Sequence, residues 1–274
     1  MIMFVPPSNR HNAVQRFVGQ LLVADWNDPA GVMRLNDRLP LSELGHASFF
    51  HDARCLLKTL EAAGGTPATV AGNLNRSFVR SMFDLVIMPQ LLRRSIYGRC
   101  KAFNEQDLPA LHFARVVCEC GRLLARRHRR FVVTRRGRTL LPDEQAGALY
   151  RHLFVAYIRR FNLGYRFPFR DVPGIQETMA VILWRLGSVA RKWTPVQGLA
   201  EQVLIPSVYA ELRTVQTYPH DTDAWILAGY VLNPLIEFGL IEKRHPGEWP
   251  GCGDKDAIRT TALFHHFIDF SDEP

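Results

Sequence analysis

The chain has 274 residues, 47% of them hydrophobic and 22% charged, with a formal net charge of +8. That balance excludes wholesale disorder, allows one large or two small domains with buried cores, and leaves no apolar run long enough to span a bilayer. The opening Met1-Ile-Met-Phe-Val-Pro-Pro7 is too short, and too early broken by proline, for a signal peptide, so a cytoplasmic protein is expected.

Five cysteines form no disulfide or zinc spacing. Cys118-x-Cys120 lacks the two-residue gap of a zinc knuckle and no second pair follows, so Cys55, Cys118 and Cys120 are expected as structural thiols on helices.

Residues 1–48 are poorly periodic and rich in proline and glycine signals, with a helix expected over 12–24 carrying Phe17, Leu21 and Leu22. Trp26 is large enough to need burial. This stretch is expected to be an arm packed on the body. From Phe49 the helical period is clear in Ala53, Leu56, Leu57 and Leu60, and Gly64-Gly65 stops that helix. A second helix runs to about Met88, and a basic stretch follows with Arg93, Arg94, Arg99 and Lys101 expected to be irregular. Asn104 or Asp107 can cap a third helix that accepts Pro109 in its first turn and ends at Gly121.

Cys120 to Pro142 holds eight arginines and no acidic residue, matching the whole charge excess. Its pattern gives two short strands, 123–127 and 130–134, around a tight turn. Thr134 is then placed to cap the turn into a long helix over 142–162. The order helix, helix, helix, hairpin, helix is that of a winged helix, and Phe131-Val-Val-Thr134-Arg-Arg-Gly137 resembles the Leu-Thr-x-x-Gly exit from the wing in many bacterial winged-helix regulators.

After a linker over 165–174 the order recurs: helices over 175–186, 199–206, 208–215 and 223–238, the last capped by Asp221 or Thr222 and broken or kinked at Pro234. Thr194 echoes Thr69, Gly239 echoes Gly121, and Ile258-Arg-Thr-Thr261 stands where Phe131-Val-Val-Thr134 stands, with Thr260 at an offset of 126 from Thr134. These echoes point to a diverged internal duplication. The fold class expected is therefore mostly α, with two tandem winged-helix-like modules (three-helix cores with short β-wings) over 49–170 and 171–274 and an N-terminal arm over 1–48. Gly72-Asn-Leu-Asn-Arg76, Asn104-Glu-Gln-Asp107 and Phe131 to Gly137 also resemble an uncharacterised group of bacterial proteins linked to plasmid-borne open reading frames, over roughly 45–210. That resemblance implies no activity.

For an enzyme the chain lacks a phosphate-binding loop, a nucleophile elbow and a His-Glu-x-x-His helix. His51-Asp52 and His220-Asp221 could contribute to a metal site with His11, His46 and Asp84, but nothing fixes their approach. Asp52 reads better as a helix-start carboxylate. His265-His266 falls in an expected strand as structural histidines. No metal or cofactor is expected.

For nucleic acid, Arg126, Arg127, Arg129 and Arg130 at the wing tip, extended by Arg135, Arg136 and Arg138, would hold phosphate and release counterions without choosing a sequence. The third helix buries Leu108, Leu111, Ala114 and Val117 or Cys118, leaving His112, Arg115, Glu119 and Arg122 on its other side. Arg115 is then the expected reader of a guanine edge, with Arg122 beside it. Glu105, Asp107 and Glu119 oppose that role by repelling phosphate. The second module's wing mixes acidic and basic residues, and its helix from Trp225 is apolar almost all round, which expects core or a partner-binding or self-association surface.

The reading reached is a non-enzymatic DNA-binding protein, a regulator or mobile-element accessory factor. The alternatives are an adaptor or assembly subunit whose arginines meet an acidic partner, and a metal-dependent hydrolase. Nucleic acid, in the form of duplex DNA, is the expected partner, and no membrane is expected.

Overall fold

The computed structural model describes residues 7–88, 90–99, 104–166, 171–216, 218, 221–244 and 252–271. The protein is mostly helical, with small antiparallel sheets. It divides into two compact units, one of residues 1–36, 163–236 and 240–274, the other of residues 37–162 and 237–239. The sequence had placed the divisions at 48 and 170.

The N-terminal stretch belongs with the C-terminal unit for a visible reason. Helix α1 (Pro7–Leu22) buries Phe17 and Leu21, and Phe17 meets Trp184 edge-on at 5.2 Å. Strand β1 (Met33–Leu35) then pairs antiparallel with the last strand of the chain, Ile268–Phe270, and an Arg34–Asp269 ion pair lies across that register. Trp26 is buried, as its size demands.

In the other unit, α2 (Ser48–Ala62) buries Ala53, Leu56, Leu57 and Leu60 on its expected stripe and ends before Gly64 and Gly65, both at positive φ. Next come β2 (Thr66–Pro67) and α3 (Arg76–Met82), capped by Asn75, whose side chain accepts from the Phe78 N–H. The basic stretch expected to be irregular is instead helix α4 (Gln90–Arg99). Arg93 explains part of this: its guanidinium donates to the carbonyls of Phe83 (2.6 Å) and Val86 (2.9 Å), tying the helix to the turn before it.

Asn104 and Asp107 form a reciprocal capping box on a 3-10 turn, and α5 (Pro109–Cys120) follows with Pro109 in its first turn. The hairpin is β3 (Leu124–Arg127) and β4 (Arg130–Val133). Thr134 does cap, but onto a separate short helix, α6 (Arg135–Leu140), accepting from the Gly137 N–H at 3.0 Å. The long helix expected from Pro142 is a 3-10 turn, α7 (Ala146–Val155) and a π-helical turn over Ala156–Arg160. Gly147 shows what positions α7: a Cβ there would overlap the backbone of Asp37 and Leu39. Around α7 an aromatic core forms from Phe49, Tyr150, Phe154, Tyr157 and Phe238, with ring centroids 5.0 to 5.7 Å apart. The Tyr150 hydroxyl donates to the Phe238 carbonyl at 2.7 Å, and burial pushes its pKa well above the usual value.

The C-terminal unit continues with α8 (Pro173–Glu177), α9 (Met179–Val189), β5 (Thr194–Pro195), α10 (Leu199–Val203), α11 (Pro206–Thr214) and α12 (Asp223–Leu227). Thr222 supplies the cap of α12, accepting from the Trp225 N–H. A π-helical turn (Ala228–Leu232) leads into α13 (Asn233–Glu237), which accommodates Pro234 in its first turn. The apolar helix read from Trp225 buries Ile226, Leu227, Tyr230, Val231, Leu232 and Leu235. The chain ends in β6 (Ile241–Arg244), β7 (Ala257–Thr260), α14 (Ala262–Phe267) and β8 (Ile268–Phe270). His265 and His266, expected in a strand, lie on α14, and the Thr260 hydroxyl sits 3.0 Å from His265 Nε2.

Each unit contains a three-stranded sheet built in the same way, β2-β4-β3 in one and β5-β7-β6 in the other. The strand pairings correct the register of the sequence echoes. Thr66-Pro67 and Thr194-Pro195 are the equivalent edge strands, not Thr69 and Thr194. The equivalent helix caps are Thr134 and Thr261, as the alignment of 258–261 with 131–134 expects and the Thr134–Thr260 offset does not. Leu123 N–H bonds the Cys118 carbonyl as Leu240 N–H bonds that of Leu235, so Gly239 (φ 71°) matches Arg122 (φ 55°) and not Gly121.

Asp52 departs most from its sequence reading. It is not at the helix start, which lies at Ser48, but buried at 3% exposure with Oδ1 accepting from the Ile87 N–H at 2.8 Å. Burial pushes its carboxyl up to about 7, against the Ile87 bond and helped by the charge of Glu237. A carboxyl raised in the folded state gives stability that is full below about pH 4 and lost as pH rises through about 7. Urea denaturation across that window should therefore show wild-type stability falling by up to about 1.4 kcal/mol per pH unit. Asp52→Asn, which keeps an oxygen acceptor for Ile87, should flatten the profile. An unchanged slope in the variant would remove Asp52 as its source.

Candidate nucleic-acid interface

The β3–β4 hairpin is in register Leu124↔Val133, Ala125↔Val132, Arg126↔Phe131 and Arg127↔Arg130. Side chains opposite one another share a face. Phe131, Leu124 and Val133 are buried, so the opposite face carries Ala125, Val132, Arg127 and Arg130. The two-residue connection is His128-Arg129, both with positive φ (47° and 59°). Such connections favour Asn-Gly, because a β-carbon in left-handed backbone costs about 1–2 kcal/mol.

The structure leaves these cations at the surface. Arg122, Arg126, Arg127, Arg129, Arg130, Arg135, Arg136 and Arg138 are all exposed. Arg126 lies against Gly72, where a Cβ would meet its guanidinium. Arg130 donates to the Gly65 carbonyl at 3.1 Å. Arg138 bonds the Val133 carbonyl and pairs with Glu61 at 3.3 Å. Among the described residues the other seven make no ion pair within 4 Å, and Asp143 pairs instead with Arg54 and Lys58.

Several local rules are broken to hold this charge. Arg127 and Arg130 face each other directly across the ladder, where like charges destabilise. Arg135 and Arg136 occupy the first turn of α6, where the helix dipole favours acids. Arg122 stands at a left-handed position whose counterpart before β6 is Gly239. Replacing His128 by Asn and Arg129 by Gly should accordingly stabilise the unit by about 1 kcal/mol, read as a raised melting temperature. A lowered melting temperature would show that the tip is not strained.

Helix α5 is not the groove-reading helix expected. Arg115, the expected guanine reader, is 7% exposed. Its Nε donates to Glu105 Oε1 at 2.6 Å, it pairs with Glu119 on the next turn, and its guanidinium stacks 5.3 Å from the Phe131 ring. Glu105 also meets His112 Nδ1 at 2.7 Å and accepts the Leu74 N–H at 2.5 Å. Burial works against this carboxylate, but the His112 bond, the Arg115 charge and the Leu74 N–H outweigh it and hold the pKa below its ordinary value. Asp107 is spent on the Asn104 N–H. Residues 110–120 are buried or half-buried, and none of them is a cation held out for a groove. The same geometry removes the objection raised by Glu105 and Glu119, whose charges are satisfied internally. The Glu105 anchor itself was missed, although an acid in a capping-box stretch seven and ten residues before His and Arg on one helix was a readable signal.

Other expected chemistry is placed as follows. His51 Nδ1 lies 3.6 Å from Asp52, and among the described residues no group of three or more His, Cys, Asp or Glu side chains comes together to hold a metal. Asp221 accepts from the Tyr218 N–H at 2.8 Å, while His220 lies outside the described residues and the side chain of His11 is not described. Cys55, Cys118, Cys120 and Cys252 are free thiols, and burial pushes that of Cys252 up to about 12. No described helix is long and apolar enough to cross a membrane.

Comparison with known proteins meets the hairpin. No solved structure matches the chain. Over 86 residues it is 36% identical to the uncharacterized protein y4jL of Sinorhizobium fredii, an alignment covering 31% of this chain and 39% of that protein, so the chain spans about two fifths of its relative's length. The resemblance expected over 45–210 narrows accordingly: residues 45–148, from the start of α2 to the start of α7 and including the whole arginine hairpin, are similar to the family described as the Y4jL N-terminal domain.

Proposed function

We propose that the protein is a non-enzymatic DNA-binding protein made of two winged-helix-like modules, whose first wing, β3–β4, grips backbone phosphate. The winged-helix reading rests on the shared order of helix, edge strand, helices, strand, strand, and on the third strand lying central in each sheet. One observation carries the phosphate reading. Arginines are held exposed, and all but Arg138 free of acidic partners among the described residues, at positions where backbone and helix-dipole energetics favour other residue types. Strain of this kind is concentrated at functional sites, because nothing in folding rewards it.

Arg126, Arg127, Arg129 and Arg130 supply the tip contacts, and Arg122, Arg135, Arg136 and Arg138 extend them. Arg115 is left out, since it supports the wing from beneath through Phe131. With α5 closed to the groove, binding is phosphate-driven and weakly sequence-selective. The test is anisotropy of a labelled duplex titrated with salt. Affinity should fall linearly on a log–log scale, by about 0.9 in slope per phosphate contact. Absence of salt-sensitive binding near physiological ionic strength would overturn the reading and favour an acidic protein partner for the same arginines.

A further inference from the structure

The second wing carries its own cations in places the sequence echoes hid. With the register fixed by β6 and β7, Lys243-Arg244 stands where Arg126-Arg127 stands in the first hairpin. Glu242 faces Arg259 across the ladder, and Arg244 is two residues from Glu242, so these three share one face while Ile258 is buried on the other. Trp193, immediately before β5, joins them. The guanidinium carbons of Arg244 and Arg259 lie 4.8 and 4.7 Å from its ring centroid. In the first unit the equivalent position is Gly65, which leaves no such platform.

Two guanidiniums resting on one indole are restricted in rotamer and weakly hydrated, while their outer N–H groups remain available to an anion. Arg244 is exposed and forms no ion pair among the described residues; exposed Lys192 adds charge beside Trp193. Arg259 Nε is engaged by Glu242, an exposed pair that salt and solvent weaken. We infer that the Arg244–Trp193–Arg259 face of the C-terminal sheet is a second phosphate-contact site for nucleic acid, with Glu242 as a built-in competitor for Arg259. This rests on the DNA-binding reading proposed above. It sharpens the expectation of a second wing of mixed charge, which came from the loop residues before Arg259.

The full chain tests it with a short fluorescein-labelled duplex over about 50–200 mM NaCl, the range in which phosphate contacts change affinity most readably. The double substitution Arg244→Gln, Arg259→Gln should lower the salt slope by about 1.8, which is two contacts at about 0.9 each. Glu242→Gln should tighten binding a few-fold without lowering the slope, and this arm stands even if the double variant folds poorly. Salt-sensitive binding by wild type, together with wild-type slope and affinity in both variants, would overturn the second site and leave the first wing intact. No salt-sensitive binding by wild type would overturn the DNA reading itself.

Discussion

Substituting Arg126, Arg127 and Arg130 by Gln and Arg129 by Asn is expected to flatten the salt dependence of duplex binding by about 3.6 in log–log slope, four contacts at about 0.9 each. Between about 50 and 200 mM salt that difference amounts to roughly a hundredfold in affinity. The substitutions suit their positions. Asn tolerates the left-handed backbone of residue 129, and Gln retains much of the aliphatic stem in the strands. Relieving the Arg127–Arg130 repulsion should leave the unit at least as stable as before, so lost binding cannot be ascribed to unfolding. Stability unchanged or raised, with binding lost, is the pattern of residues kept for function. A variant with wild-type slope, or a destabilised one, would return the arginines to the role of a solvated hairpin.

The hairpin was legible because its signals are local. Alternating residues, a tight turn and Thr134 placed three before Gly137 define strand, turn and cap within a few residues, and both strands fell within one residue of their observed ends. The helix starting near Phe49 was legible for the same reason. What failed depends on contacts far along the chain. Asp52 looks like a helix-start acid until the Ile87 N–H, brought in by tertiary folding, claims it. Residues 142–162 read as one helix because periodicity does not see that Gly137 must fit under the Leu123 carbonyl or that Gly147 must meet the 37–39 backbone. Which part of the body the arm packs on was not legible, because a three-residue strand carries almost no signal without its partner β8. At the candidate site, the exposed cations were read from composition alone. Arg115 was misplaced because helical periodicity assigns a face but not what covers it, and here the cover is Glu105, Glu119 and the ring of Phe131.

Glu105 is a buried anchor of the unit that carries the hairpin. Its carboxylate is fully buried and holds three groups at once: Arg115, His112 and the Leu74 N–H. Removing one partner of a buried, hydrogen-bonded charge pair leaves the other uncompensated, so Glu105→Ala should destabilise the unit by about 3–5 kcal/mol in urea denaturation at neutral pH. Glu105→Gln should cost less, since an amide oxygen can still accept from Leu74. Replacing both charges, Glu105→Leu with Arg115→Met, should recover much of the loss, because apolar side chains of similar volume often match a buried ion pair. The pH dependence has the opposite sign to that of Asp52. Glu105 is held below its ordinary pKa, so its contribution is present at neutral pH and is lost as pH falls through the lowered value. Wild type and Glu105→Ala should therefore converge in acid and separate above the ordinary carboxylate range. The consequence reaches the wing. Leu74 closes the turn that contains Gly72, and Arg126 lies against Gly72, so loosening the anchor loosens the support of Arg126. Partly folded Glu105→Gln should thus bind duplex more weakly than wild type while all its arginines remain. Stability within about 1 kcal/mol of wild type for Glu105→Ala, the level of an exposed pair, would show the network to be incidental.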